Sequence, residues 1–216
     1  IRLYDEKEFA LRPPYADPEI LRSSLAGVIL RMKALRLGDV EDFPFIQAPP
    51  PKAISAGYQL LLALGAVTEE RALTPIGNEL AKMPLDPRVA RMIVAARDEG
   101  CLKEMLVIAA ALTVQDPRER PQEKQGTADA AHKKFADEKS EFLSWLKLWQ
   151  WYAGELEHKR SQRKLVRACH ENFLSALRMR EWHDIHSQLL GLANEHEWKE
   201  NQLPANYDAI HRALLS

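Results

Sequence analysis

At 216 residues, with 46% hydrophobic and 28% charged side chains and a net charge of −1, the chain has the make-up of a globular protein of one large or two small domains. That charge removes any global case for nucleic acid or a membrane surface, so a basic surface must be local. No run reaches the apolar length of a bilayer span and no signal peptide is visible; Cys101 and Cys169, both within helical patterns, form no disulfide framework, which fits a reduced, cytoplasmic setting.

In chain order, Ile1-Arg2-Leu3-Tyr4 reads like the last strand of a missing domain, with residues 1–13 as that domain's tail. Asp17-Pro18-Glu19 is a helix start: a cap, a first-position proline and an acid facing the positive helix end. Ile20, Leu21, Leu25, Val28, Ile29 and Met32 follow at helical spacing, with Gly38 as terminator. Phe43-Pro44-Phe45 and Pro49-Pro50-Pro51 make a stiff connection into a second helix, Lys52 to Leu64. Ala66-Val67-Thr68 and Ala72-Leu73-Thr74, flanking Glu69-Glu70-Arg71, predict a small β-hairpin. Helices followed by a short hairpin suggest a winged helix.

Thr74-Pro75 starts the next helix and Met83-Pro84 ends it, because a residue before proline is pushed out of the helical region. Asp86-Pro87 starts another, whose apolar face is Val89, Met92, Ile93 and Ala96 and whose end is Gly100. Leu102 to Leu112 is apolar nearly all round, which marks the centre of a core. Gln115 to Gly126 is a loop, and helices are expected over residues 128–135, 138–152, 171–192 and 206–215.

No G-x-x-x-x-G-K-[ST], G-x-G-x-x-G or G-x-S-x-G pattern is present. His183 and His186, three apart with Glu181 and Asp184 nearby, have a spacing that could hold a metal, but a catalytic zinc needs a third protein ligand; surface or capping histidines are the simpler reading. Trp145, Trp149, Trp151 and Tyr152 could stack bases, although their spacing among leucines favours a core. The helix from Lys52 offers only Lys52, Ser55 and Gln59 where a DNA reader presents polar side chains to base edges. A transcription regulator, or an interaction module of winged-helix type, is thus the weaker alternative. Lys159, Arg160, Arg163, Lys164, Arg167, Arg178 and Arg180 are opposed only by Glu171, and Arg160, Arg163, Lys164 and Arg167 share one helical face. They are either a solvated face or a phosphate-contacting stripe; charge alone does not decide.

The motifs add a resemblance. R-L-Y-x-x-x-x-F at Arg2 to Phe9 resembles the end of the second RecA-like domain of DEAH-box RNA helicases, and P-E-I-L-R-S-S-L-A at Pro18 to Ala26 the opening of their winged helix. L-T-P-I-G at Leu73 to Gly77 and P-L-D-P-R at Pro84 to Arg88 are similar to the junction into their helical ratchet domain, and A-H-K-K-F at Ala131 to Phe135 and N-F-L-x-x-L-R at Asn172 to Arg178 continue the match. Q-D-P-R-E-R-P at Gln115 to Pro121 and R-E-W-x-D-I at Arg180 to Ile185 look like the bacterial branch. The ordered set covers the whole chain.

The resemblance implies a mainly α fold: residues 1–13 the tail of a RecA-like domain, 14–83 a winged helix with a small β-hairpin wing, and 84–216 an α-helical ratchet-type bundle. It further implies an accessory part of an ATP-driven, 3′-to-5′ RNA helicase, with ATP and magnesium held by RecA-like domains and no cofactor or metal site here. Single-stranded RNA (or DNA), the RecA-like domains and an oligonucleotide-binding-fold domain of the same parent chain are the implied partners, and no membrane. The RNA-contacting residues it points to are Arg163, Lys164, Arg167, Asn172, Arg178 and Arg180, the last three on a long helix from Glu171.

Overall fold

The computed structural model describes residues 5–11, 24–158 and 161–216; the expected strand at Ile1 to Tyr4, the helix start at Asp17-Pro18-Glu19, and Lys159 and Arg160 lie outside them. The chain divides into two compact units, Ile1–Pro87 and Arg88–Ser216. Among the described residues both are helical, and no helix is long and apolar enough to cross a membrane.

In the first unit a one-turn helix α1 (Glu6–Ala10) is capped by Asp5. Helix α2 (Ala26–Ala34) stops short of Gly38: Leu37 N–H closes on the Met32 carbonyl at 3.0 Å, with Arg36 in the left-handed region at φ 56°. The terminator is therefore an arginine in a conformation that costs an L-residue roughly 1 kcal/mol. Helix α3 (Pro51–Ala63) packs on α2 through Ile54, Gly57, Tyr58 and Leu61. A Cβ on Gly57 would lie 2.7 Å from Ile29 Cδ1 and 3.3 Å from the Ala26 nitrogen, so the bare backbone lets the two helices approach. Leu25, Ile29, Leu61 and Leu80 complete the core, the last from α4 (Pro75–Ala81). The outer side of α3, with Lys52, Ser55 and Gln59, faces solvent.

The expected β-hairpin is reduced to one antiparallel bridge, Val67 with Leu73, and no longer strand is found among the described residues. Its bonds are Thr68 N–H to the Ala72 carbonyl, 2.9 Å, and Thr74 N–H to the Ala66 carbonyl, 3.1 Å. The ladder cannot lengthen because both ends are committed to helix caps. Ala66 N–H bonds back to Leu61 O at 2.8 Å, while the Thr74 hydroxyl donates to Gly65 O at 2.6 Å and accepts from Gly77 N–H at 3.0 Å.

In the second unit, α5 (Pro87–Glu99) ends at Gly100, φ 66°, where Cys101 N–H bonds the Ala96 carbonyl. Helix α6 (Leu102–Thr113) is the centre: Leu102 and Met105 to Ala110 are all buried. A turn at Gln122–Lys124, α7 (Gln125–His132) and a second turn at Lys133–Phe135 follow. Then come α8 (Glu141–His158), α9 (Gln162–Glu171), α10 (Ala176–Glu195) and α11 (Tyr207–Leu214). Helices α8, α10 and α11 all pack on α6, as a helix apolar on every side requires.

The long helix expected over 171–192 is thus two elements. Phe173 adopts φ 53°, Leu174 N–H closes α9 on the Cys169 carbonyl at 2.9 Å, and Ser175 caps α10 by accepting from Arg178 N–H. A non-glycine residue in the left-handed position hides this break from helical periodicity.

Candidate nucleic-acid interface

Helix α9 is divided sharply by solvent. Leu165, Ala168 and Cys169 are buried, whereas Arg163, Lys164 and Arg167 are exposed on the other face. Among the described residues Arg163 and Lys164 have no ion-pair partner. Arg167 Nε bonds Glu171 Oε1 at 2.8 Å, one helical turn away, with side chains 81% and 60% exposed. Such an open pair contributes a few tenths of a kcal/mol and exchanges readily for another anion.

The other three predicted contacts are placed differently. Asn172 sits at the C-terminal cap of α9, not on α10; its amide donates to the Ala168 carbonyl at 2.8 Å and its Oδ1 accepts from Lys134 Nζ. Arg178, on the first turn of α10, is half-buried and donates from Nη1 to the backbone carbonyl of Asp116 at 3.0 Å. Arg180 is exposed. The structure therefore groups Arg163, Lys164 and Arg167 on one helix face, and gives Asn172 and Arg178 intramolecular partners.

Those partners come from two stretches that the expected RNA-contacting residues do not include. The segment 116–119 runs antiparallel beside the α9–α10 break: Arg118 bridges Leu174, Glu119 N–H donates to Phe173 O at 2.8 Å, and Ser175 N–H donates to Pro117 O at 2.8 Å. From the end of α7, a His132 ring nitrogen meets Phe173 O at 3.0 Å. Lys134, bound to Asn172, also lies 4.8 Å from the centre of the Phe135 ring and 5.3 Å from that of Trp151. Hence the stretches 115–121, 131–135 and 172–178 converge, although some 40 residues of chain separate the second from the third. Their shared membership in one ordered motif set is the only sequence signal that could have linked them.

Beside this junction lies a cleft of about 640 Å³ lined by Asp116, Arg118, Arg120, Asp129, His132 and Glu141. Both of its arginines are already matched. Arg118 bonds Asp116 Oδ2 at 2.6 Å and also Glu141, and Arg120 pairs with Asp129 at 2.7 Å. Burial pushes the Asp116 carboxyl up, but its hydrogen bonds from Arg118 outweigh that and hold it below its ordinary value. Asp116, bonded to it, raises the Arg118 guanidinium further. With both arginines countered by carboxylates the cleft has little field left for a phosphate, unlike the exposed face of α9.

The aromatic groups are mainly packing groups. Trp149 lies 5.3 Å from buried Trp182, 5.9 Å from His183 and 4.5 Å from His186 between ring centres. His183 thus stacks on the indole and His186 lies tilted against it. Among the described residues no group of three His, Cys, Asp or Glu is placed to hold a metal ion.

Comparison with known proteins agrees with this motif set. The helicase-associated domain (HA2), winged-helix, matches residues 58–85, and the helicase-associated domain (HA2), ratchet-like, matches residues 86–175. The whole chain is 48% identical over 223 residues to the ATP-dependent RNA helicase HrpA homolog of Haemophilus influenzae and 47% identical over 221 residues to the ATP-dependent RNA helicase HrpA of Escherichia coli, and spans 17% of the length of each. It is also 32% identical over 216 residues to the pre-mRNA-splicing factor ATP-dependent RNA helicase prp22 of Schizosaccharomyces pombe, spanning 18% of that protein. The chain belongs to the helicase-associated (HA2) family, with the winged-helix and ratchet-like portions found in DEAH-box ATP-dependent RNA helicases.

Proposed function

We propose that this chain acts as the accessory winged-helix and ratchet region of an ATP-dependent RNA helicase that moves 3′ to 5′, with α9 forming part of the wall of a single-stranded RNA path. The carrying observation is the one-sided charge of α9: Arg163, Lys164 and Arg167 lie on an exposed face directly before the junction of the three motif stretches. In this reading residues 14–83 are the winged helix, its wing the short Val67–Leu73 turn, and residues 84–216 the ratchet. RecA-like domains of the longer protein bind ATP and magnesium, an oligonucleotide-binding-fold domain is a further partner, and this region couples their motion to the strand. Asn172 and Arg178 hold the junction in shape, and Arg180 adds a second basic position on α10.

Side chains that track a moving strand must bind phosphate and not read bases, since every sequence has to pass. The test is a longer protein with Arg163, Lys164 and Arg167 each changed to Glu. Binding should weaken equally for all single-stranded sequences, and the logarithmic salt slope should fall in magnitude by about 0.7 for each phosphate that is no longer neutralised. RNA-stimulated unwinding should drop while ATPase without RNA persists. Unchanged RNA affinity and salt slope would leave α9 a solvated face and refute the assignment.

A further inference from the structure

A cavity of about 270 Å³ lies among α6, α8 and α10, remote in character from the basic face of α9. Its walls are mainly apolar: Val107, Leu146, Trp149 and Leu190. A dry apolar cavity of about 150 Å³ accepts one benzene ring, so this one has room for two fused rings. Trp149 lines it with its indole, which packs 5.3 Å from Trp182 between ring centres.

The polar groups at the cavity separate into spent and unspent. Glu104 is spent, since its two oxygens accept from Asn201 Nδ2 at 2.9 Å and Ala205 N–H at 3.0 Å. His186 and Gln150 make no hydrogen bond among the described residues. Burial pushes the His186 imidazole down to about 4, so near neutrality it is uncharged, with one ring nitrogen donating and the other accepting. The Gln150 carboxamide offers a donor and an acceptor side by side, the pairing that reads adenine at N6 and N7. The remaining charges are Lys103 and Glu200, so no positive excess is available for phosphate.

We propose that this cavity binds a purine base of the adenine type, free or as its nucleoside, packed against Trp149 and hydrogen-bonded by Gln150 and His186. A two-ring heteroaromatic fills the volume, satisfies both unspent side chains and needs no counter-charge. A nucleotide or an RNA strand would bring phosphates towards Glu104 and Glu200 without a matching cation cluster.

The test is binding of adenosine, inosine, AMP and a pyrimidine oligoribonucleotide containing one adenine to the chain, by equilibrium dialysis and tryptophan fluorescence. Adenosine should bind saturably, one per chain, with a fluorescence change that disappears in Trp149→Phe. Loss of the paired hydrogen bonds, in inosine or in Gln150→Ala, should weaken binding roughly tenfold. Leu190→Trp, which fills the cavity, should abolish it. AMP should bind no more tightly than adenosine. The proposal is overturned if adenosine shows no saturable binding, if AMP or the oligonucleotide binds more than tenfold tighter, or if Gln150→Ala leaves adenosine affinity unchanged. Gln150 is exposed, so its variant decides the matter even if Leu190→Trp fails to fold.

Discussion

The indole N–H of Trp182 donates to the backbone carbonyl of Val107 at 2.9 Å, with Trp182 fully buried. This bond locks α10 to α6 at the centre of the second unit, where a helix apolar on all sides would otherwise offer no preferred rotation. Trp182→Phe removes the donor and leaves the carbonyl facing an apolar ring, a change that should cost about 1–3 kcal/mol. Trp182→Ala adds a large cavity and should cost about 3–5 kcal/mol. Urea unfolding checks both; equal, small shifts would show that the bond does not organise the core.

Glycines 77 and 154 should respond in opposite directions. A Cβ at Gly77 would lie 2.0 Å from the Ala66 carbonyl oxygen, against rigid backbone, whereas one at Gly154 meets nothing within 4 Å among the described residues. Gly77→Ala should destabilise by at least about 1–3 kcal/mol through overpacking. Gly154→Ala, inside α8, should stabilise by about 0.5–1 kcal/mol by raising helix propensity. Thermal melts of the two variants make the comparison.

Two arginines among the expected RNA-contacting residues should separate stability from binding. Arg178 holds the Asp116 carbonyl, so Arg178→Ala should cost about 1 kcal/mol and speed hydrogen exchange at the Ser175 and Glu119 amides. Arg163→Ala, on the open face of α9, should leave stability within about 0.5 kcal/mol of the parent. A melting shift for Arg163→Ala as large as that for Arg178→Ala would contradict the placement of both.

Acid should weaken the second unit through His186. Its imidazole is pushed down to about 4 by burial first and by neighbouring His183 second, from an ordinary 6.5. Between these values the unfolded chain binds a proton that the folded chain refuses, so unfolding free energy rises with pH there. The contribution is full above 6.5 and is lost as pH falls towards 4, by no more than about 3 kcal/mol. His186→Phe should flatten stability over that window. A wild-type profile that is level between pH 6.5 and 4 would rule this out.

The signals legible in the sequence are those set within a few residues. Thr74-Pro75 and Gly100 delimit helices because a cap depends on its immediate neighbours, and Leu102 to Leu112 reads as a core helix because no face of it is polar. The predominance of helix follows from these. The turn at residues 68–71 and the basic character of α9 were also visible as composition. Tertiary structure alone decided the rest. The α9–α10 break needs Phe173 in a left-handed conformation, stabilised by Arg118 and Glu119 running alongside. That pairing joins residues more than 50 positions apart, beyond the reach of any periodicity. In the same way, the fates of Asn172 and Arg178 depend on Lys134 and Asp116. A side chain's charge is written in the sequence, but whether it meets solvent or a carbonyl is settled only when distant backbone arrives beside it.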